Sequence, residues 1–213
     1  MGIVRRLTEK PWLSPGLHLA TEDGAEVRAL PAAAVGLRVY FGVATVMFML
    51  IGIILVMRMG GHGISEAQAP DWKPMYWPPL LWFNTAVLVL SSAAWEWARA
   101  AAQRGRTRGL RAGLIAGGAL ALIFVIGQLV VWRQLEEAGC GITATTMSAF
   151  VYLITALHGL HLLGGLTVWG RTTAKVLAGR DAAQVRESVE LCTIYWHYLL
   201  LVWIVMFGLL LMI

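Results

Sequence analysis

The chain has 213 residues, of which 58% are hydrophobic and 14% are charged, and its formal net charge is +5. Soluble domains carry about 25% charged residues, so this composition indicates a membrane protein rather than a soluble enzyme. The basic residues lie in short segments between apolar stretches, and no basic helix with interleaved aromatic residues is present. We therefore expect no nucleic-acid partner.

The N-terminal segment differs in composition from the rest of the chain. Residues 1–31 mix charges, prolines and glycines without a continuous apolar stretch, so no cleavable signal peptide is predicted. We expect residues 1–35 to form a cytoplasmic N-terminal segment and residues 36–213 to form one transmembrane domain.

Five apolar stretches follow, each long enough for the roughly 20 helical residues that cross the hydrocarbon core of a bilayer. They cover about residues 36–57, 78–98, 111–132, 145–170 and 193–213. The second stretch begins with Pro78 and Pro79, which the first turn of a helix tolerates. The predicted fold is an all-α membrane protein, a bundle of five transmembrane helices.

The distribution of lysine and arginine predicts the orientation of this bundle. Most of the 17 basic residues fall in the N-terminal segment, in the connection after the second stretch and in the connection after the fourth. The opposite side holds only Arg58, Lys73 and Arg133. Because basic residues are retained on the cytoplasmic side, we expect a cytoplasmic N-terminus and a periplasmic C-terminus.

Ionisable residues inside the predicted spans are few. The fourth stretch, "LITALHGLHLLGGLTVWG", carries His158 and His161 one helical turn apart, and the fifth carries His197. The first span contains no acid, and no span has the series of Asp, Glu and His that a proton path needs. This pattern argues against a transporter. Cys140 and Cys192 show neither metal-ligand spacing nor a disulfide framework.

Three interpretations of the histidines remain open. A haem could lie between His197 and one of the paired histidines. A metal site would need three or four ligands, which the sequence does not supply nearby. The interpretation we favour is that neutral imidazoles on one helix face form hydrogen bonds to neighbouring helices, and that glycines next to them permit close approach.

Other polar and aromatic residues of the spans have simpler expected roles. We expect Tyr195, Trp196 and Tyr198 to form an aromatic belt at the membrane interface rather than a cofactor site. Interhelical contacts are expected for Asn84, Ser91, Ser92 and Gln128. Glu96 and Glu190 are expected at the cytoplasmic interface, near arginines.

Three motifs on three predicted helices resemble, in order and spacing, the subunit III family of haem–copper oxidases. They are "PPLLWFNTAVLVLSS" (Pro78–Ser92), "HGLHLLGG" (His158–Gly165) and "VELCTIYWHYLLLVW" (Val189–Trp203). With five predicted spans, the chain resembles the short, five-helix bacterial form of the family.

This resemblance implies an accessory subunit in a bacterial cytoplasmic membrane, without a catalytic centre of its own. Haem and copper would belong to partner subunits. The partners implied are the catalytic subunit I, subunit II and phospholipids held between helices. The motifs assign lipid or interhelical contacts, but no catalytic, cofactor or metal role, to Asn84, His158, His161, Glu190, Trp196, His197 and Trp203.

Departures from the family pattern bear on proton uptake. Leu200 stands where the family has an Asp in its last helix. Val131 stands where many members have a Glu, and the first span lacks the acidic residue that is usual there. These changes argue against a role in proton uptake. A cytochrome c oxidase is the expected complex. A quinol oxidase, a nitric oxide reductase and a haem b electron-transfer protein are the alternatives.

Overall fold

The computed structural model describes residues 32–60, 78–179 and 182–212, so most of the predicted segment 1–35 lies outside the described residues. Residues from Leu37 onward form one compact unit, to which the packing below refers. The helices are α1 (Ala32–Gly60), α2 (Leu80–Gln103), α3 (Thr107–Glu137), α4 (Thr146–Leu177) and α5 (Ala182–Leu211). The described ranges contain no strand, which confirms the all-α prediction.

The helices extend beyond the apolar stretches that predicted them. The fifth begins at Ala182 rather than near residue 193, and α4 ends at Leu177 rather than near residue 170. The added turns carry charged residues such as Arg186 and Glu187. Arginine and glutamate are good helix formers, but hydropathy detects only the part of a helix that suits hydrocarbon.

Local sequence explains where the helices end and begin. Gly105, Gly139 and Gly179 follow α2, α3 and α4 with φ angles of 66°, 78° and 87°, a left-handed conformation that glycine adopts without steric cost. At the start of α4, the Thr145 side chain accepts a hydrogen bond from the Ser148 amide. The Ser148 hydroxyl in turn accepts one from the Thr145 amide, which completes a capping box.

Close packing of α2 against α3 depends on small residues. A methyl group added at Gly113 would lie 2.9 Å from the backbone of Ala98, and one at Gly117 would lie 2.9 Å from the Trp95 indole nitrogen. The Ser91 hydroxyl donates to the Gly117 carbonyl across 2.9 Å, which is the interhelical contact predicted for it. Helix α2 also packs against α5, α3 against α4, and α4 against α5.

Four of the five helices are long and apolar enough to cross a membrane: α1, α3, α4 and α5. Helix α2 is not among them, so the predicted number of five spans is not reached on length and hydropathy alone. The difference arises from polar residues of α2. Asn84, Ser91, Ser92 and Glu96 lower its mean hydropathy. The first three side chains are buried against other helices, whereas Glu96 pairs with Arg99 toward the end of the helix.

Candidate functional site

The interior of the bundle contains His158, whose side chain is fully buried. Its imidazole lies between two aromatic rings, with centroid distances of 5.2 Å to Trp203 of α5 and 6.0 Å to Phe124 of α3. Neither ring nitrogen has a hydrogen-bond partner among the described residues. His158 therefore fills space between α3, α4 and α5 and makes no hydrogen bond across helices of the kind we predicted.

His161 faces a different neighbour. Its ring centroid lies 5.8 Å from that of Tyr40 and 5.3 Å from that of Phe48, both on α1. Nδ1 lies 2.7 Å from the Leu157 carbonyl oxygen, within the same helix. The paired histidines were predicted to point from one face, but they contact different helices. Residues three apart in a helix differ in direction by about 60°, which is enough to turn His158 toward α3 and α5 and His161 toward α1.

The third histidine, His197, is exposed on α5. Its Nδ1 lies 2.7 Å from the Thr193 carbonyl oxygen of its own helix, so this contact is not interhelical either. A haem held by two of these imidazoles needs both rings to face one space. His158, His161 and His197 instead face the core, α1 and the outer surface. This divergence argues against the haem b alternative.

Trp196, adjacent to His197, belongs to the core. It is 2% exposed and stacks on Trp95 of α2 at a centroid distance of 5.4 Å and an interplanar angle of 16°. The prediction of an interfacial aromatic belt is wrong for this residue. Nearby, the Thr193 hydroxyl donates to the Val189 carbonyl at 2.8 Å and lies 3.4 Å from the Trp95 carbonyl oxygen.

Tyr195 and Tyr198 connect α5 to its neighbours. The Tyr195 hydroxyl donates to the His161 carbonyl at 2.7 Å, and it lies 3.2 Å from the Tyr40 hydroxyl of α1. The Tyr198 ring stacks on Phe41 at a centroid distance of 4.3 Å. These contacts make both tyrosines interhelical residues, and they place the paired-histidine helix against the helix that carries His197.

Trp203 links the last-helix motif to the proline-led motif. Its indole nitrogen donates to the Thr85 hydroxyl oxygen at 3.0 Å, and that hydroxyl donates to the Leu81 carbonyl at 2.9 Å. The Trp203 ring also meets Phe124 edge to face at a centroid distance of 4.9 Å. Edge-to-face pairs of this kind add stability beyond the area they bury.

Asn84 lies in the same interior and is fully buried. A methyl group added at Gly127 of α3 would overlap the Asn84 side-chain oxygen, so the amide sits directly on the glycine. Neither polar atom of Asn84 nor the side-chain oxygen of Gln128 has a partner within the described part of the chain. Asn84 is thus an interhelical packing residue without the hydrogen bond expected of it.

Glu190 marks one end of the α2–α5 contact. Its carboxylate accepts a hydrogen bond from Arg99 at 3.1 Å, and Arg99 also pairs with Glu96 at 3.3 Å. The bond to Glu190 raises the pKa of the Arg99 guanidinium above its ordinary value, and burial opposes this rise. The predicted proximity of these acids to arginine is confirmed.

The sequence alone did not identify two contacts of α3 with α4. The Trp169 indole nitrogen donates to the Leu114 carbonyl at 2.8 Å, and its ring fills the space over Gly118. The Trp132 indole nitrogen donates to the Thr155 hydroxyl oxygen at 3.1 Å. Glycine and tryptophan on successive apolar helices give only a weak signal, because any of several pairs would satisfy the same pattern.

The positions that depart from the family pattern have apolar surroundings. Val131 is 1% exposed within the core, and Leu200 packs against the core from α5. Within residues 32–60, 78–179 and 182–212, no group of three His, Cys, Asp or Glu side chains is arranged to hold a metal ion. The contacts of Val131 and Leu200 in this part of the chain are packing contacts.

The helices and their interior define a multi-pass helical membrane protein. The family model for cytochrome c oxidase subunit III matches residues 69–212 of this chain. Because the match covers more than half of the sequence, the chain belongs to the cytochrome c oxidase subunit III family. The resemblance found in its three motifs is confirmed.

Curated relatives agree with this assignment. A probable cytochrome c oxidase subunit 3 of Mycobacterium bovis is 33% identical over 124 residues, which are 58% of this chain and 61% of the relative. Cytochrome c oxidase subunit 3 of Thermostichus vulcanus is 30% identical over 60% of this chain and 62% of the relative. Cytochrome c oxidase subunit 3 of Synechocystis is 29% identical over 68% of this chain and 63% of the relative. The matches thus span less than two thirds of each relative.

Proposed function

We propose that this chain is subunit III of a bacterial respiratory haem–copper oxidase, a cytochrome c oxidase, and that it acts as an accessory subunit without a cofactor of its own. Its partners are the catalytic subunit I and subunit II, which hold the haem and copper. The family match over residues 69–212 is the observation that carries this proposal.

The interior contacts support a structural role. Buried polar side chains in the described residues are the neutral residues asparagine, glutamine, serine, threonine and histidine, and none is Asp, Glu, Lys or Arg. Val131 and Leu200 occupy the positions where the resemblance leads one to expect acids. A proton path through a membrane protein uses a series of Asp, Glu and His side chains. One buried histidine does not make such a series, so we assign no step of proton uptake to this interior.

All five helices span the membrane in this proposal, including α2. Asn84, Ser91 and Ser92 of this helix are buried, whereas its outward-facing side chains include Trp82, Phe83, Val89 and Leu90, which are 45–61% exposed. A helix with this distribution places its polar side chains inside the bundle and presents apolar groups to lipid. Mean hydropathy does not register this division, because it takes no account of the side of the helix on which a residue lies.

The orientation and location follow from the same proposal. Residues 1–35 form a cytoplasmic segment, residues 36–213 form the transmembrane domain, and the C-terminus is periplasmic, because most basic residues then face the cytoplasm. The membrane is the bacterial inner membrane. Large apolar side chains exposed on each of the five helices provide the surfaces against which subunit I and phospholipids pack.

The roles of the motif residues follow from their contacts. Trp196 and Trp203 hold α5 against α2, the first by ring stacking and the second by a hydrogen bond. His158 fills the space between α3, α4 and α5. Asn84 sets the distance between α2 and α3, and His161 supports α1. Glu190 pairs with Arg99 at the end of α2, and the exposed His197 faces lipid or a partner subunit.

Purification of the complex through a tag on this chain tests the proposal. We expect subunits I and II to co-purify in equal amounts, together with the haem absorbance and copper of the oxidase. After the chain is separated from its partners, we expect neither haem absorbance nor copper in it. Haem retained by the separated chain, or a preparation without subunit I, would contradict the proposal.

A variant pair sharpens this test. Trp203→Ala removes a contact between α5 and α2 and should reduce the amount of subunit III in the purified complex. Glu136→Ala changes an exposed residue near the end of α3, which belongs to neither this contact nor the apolar surfaces, and should leave the amount unchanged.

A further inference from the structure

The turn between α2 and α3 forms a cavity that the proposed function does not use. Its volume is about 550 Å³, and its lining includes Arg104, Arg106, Arg108, Thr107 and Trp97. Gly105, with a φ of 66°, reverses the chain between the two helices and brings these side chains together. Three of the five residues from 104 to 108 are therefore arginines that line one space.

The charge of this cavity is not neutralised by the described part of the chain. The ion pairs found there involve Arg99 and Arg133, and none involves the three cavity arginines. A guanidinium group binds phosphate with two parallel hydrogen bonds and is less strongly hydrated than an ammonium group. The first turn of α3 adds partial positive charge from its amides. The chemistry of the cavity favours a phosphate group.

An apolar surface continues directly from the cavity. Along α2, Trp97, Leu90 and Phe83 recur every seventh residue and are 56%, 58% and 57% exposed. Seven residues are nearly two helical turns, so these side chains form one stripe, and Arg104 continues it at the cavity end. From Trp97 to Phe83 the stripe is about 21 Å long at 1.5 Å per residue, longer than the roughly 15 Å of one leaflet.

Helix α3 has a matching stripe. Arg108 at the cavity is followed at the same seven-residue spacing by Ile115, Leu122 and Leu129, which are 51%, 44% and 55% exposed. Both helices thus lead from an arginine at the turn to an apolar outer surface. An acyl chain suits such a surface because it has no polar group to satisfy along its length, and the arginines at the turn suit the phosphate at its end.

We propose that the cavity at the α2–α3 turn binds the phosphate of an anionic phospholipid, whose acyl chain lies along the stripe Trp97–Leu90–Phe83. The inference rests on the proposed insertion of α2 and α3 in the membrane, and it concerns a headgroup site at the turn rather than lipid between helices. Juxtamembrane basic residues attract anionic lipid by about 1 kcal/mol each, so loss of all three arginines corresponds to roughly a hundredfold weaker binding.

The test measures lipid retained by the purified oxidase complex. The complex is delipidated, exposed to detergent micelles that contain phosphatidylglycerol or phosphatidylcholine, and analysed by mass spectrometry. We expect preferential retention of phosphatidylglycerol by the unaltered complex, and roughly a hundredfold loss of this affinity in the variant R104Q/R106Q/R108Q. The variant R104K/R106K/R108K should bind more tightly than the glutamine variant because it keeps the charge.

A second variant controls for total charge. R133Q/R171Q/K175Q also removes three positive charges from exposed positions, and it should retain phosphatidylglycerol as the unaltered complex does. Equal loss in both triple variants would overturn the proposal, because the effect would then be one of net charge. If the first variant fails to assemble, each single change R104Q, R106Q or R108Q should weaken binding about fivefold.

Two other outcomes would also overturn the proposal. If inorganic phosphate alone binds the complex as tightly as phosphatidylglycerol does, the cavity is a site for free phosphate. If R104Q/R106Q/R108Q keeps its lipid but loses another subunit, the cavity holds an acidic segment of that subunit. Haem and subunit I in the same preparation report on the proposed function separately, so failure of the lipid site would leave that function in place.

Discussion

Helix α1 and the group α2–α5 are held in place by different kinds of contact. In the apolar stretch of α1, 17% of the residues are buried, compared with 39% in that of α3. Helix α1 meets α4 and α5 through the rings and hydroxyls of Tyr40, Thr45 and Phe48. Helices α2 and α3 instead approach so closely that the backbone of one helix lies over a glycine of the other.

These two regions show how the helices of a membrane bundle select their neighbours although lipid and buried side chains are equally apolar. Lipid is as apolar as the side chains it replaces, so burial against another helix is favourable mainly through close packing and a few hydrogen bonds. Glycine beside tryptophan provides such packing in α2–α5, and α1 lacks an equivalent. We therefore expect substitutions in α2–α5 to cost more than similar substitutions in α1.

The largest effect is expected for Trp196→Ala. This change removes the ring stacked on Trp95 and leaves a cavity between α2 and α5, which should lower the free energy of unfolding by about 3–5 kcal/mol. Unfolding with dodecyl sulfate in mixed micelles, followed by circular dichroism, measures it. Trp97→Ala, at a tryptophan that is 56% exposed, should cost less than about 1 kcal/mol. Equal losses would contradict the packing described for Trp196.

Gly113→Ala should have the next largest effect, because the added methyl would meet the backbone of Ala98, which cannot move aside as a flexible side chain can. We expect a loss of about 1–3 kcal/mol in the same unfolding measurement. Gly42→Ala in α1 is the matched control. No described atom lies within 4 Å of its added methyl, so higher helix propensity should leave stability unchanged or raise it by up to about 1 kcal/mol. If both changes were equally harmful, α1 and α3 would not differ in packing.

Tyr195→Phe tests the link between the two regions. It removes the hydrogen bond to the His161 carbonyl and the contact with the Tyr40 hydroxyl, and it should cost about 1 kcal/mol. Tyr40→Phe removes only the hydroxyl contact on the α1 side and should cost less. The two single variants and the double variant form a cycle that measures coupling, and a cost for Tyr40→Phe above that for Tyr195→Phe would reverse our ranking of the two regions.

The smallest effect is expected for Glu190→Gln. The Arg99 and Glu190 side chains are 33% and 40% exposed, and ion pairs with this much solvent contact contribute about 0–1 kcal/mol. The loss should decrease further as salt is added. Glu137→Gln, which breaks the more exposed pair with Arg133, should change stability less. A loss of several kcal/mol for Glu190→Gln would show that this end of α2 is packed as tightly as its middle.

The sequence by itself determined the helices and the family. Apolar stretches of sufficient length can satisfy their backbone groups in a membrane only as helices, so the five elements were predictable despite errors at their ends. The three motifs also sufficed to identify the subunit III family, since they depend on residue order alone. The arginine–glutamate proximity at Glu190 followed from charge.

Only the tertiary structure decided which side of each helix faces the interior. In a soluble protein the polar face of a helix marks its outer side, but here lipid-facing and core-facing side chains are both apolar. Trp95 is buried whereas Trp97 is exposed, and Trp196 is buried beside the exposed His197. For the same reason the sequence placed His158 and His161 on one face, and only the packed helices showed that one faces the core and the other α1.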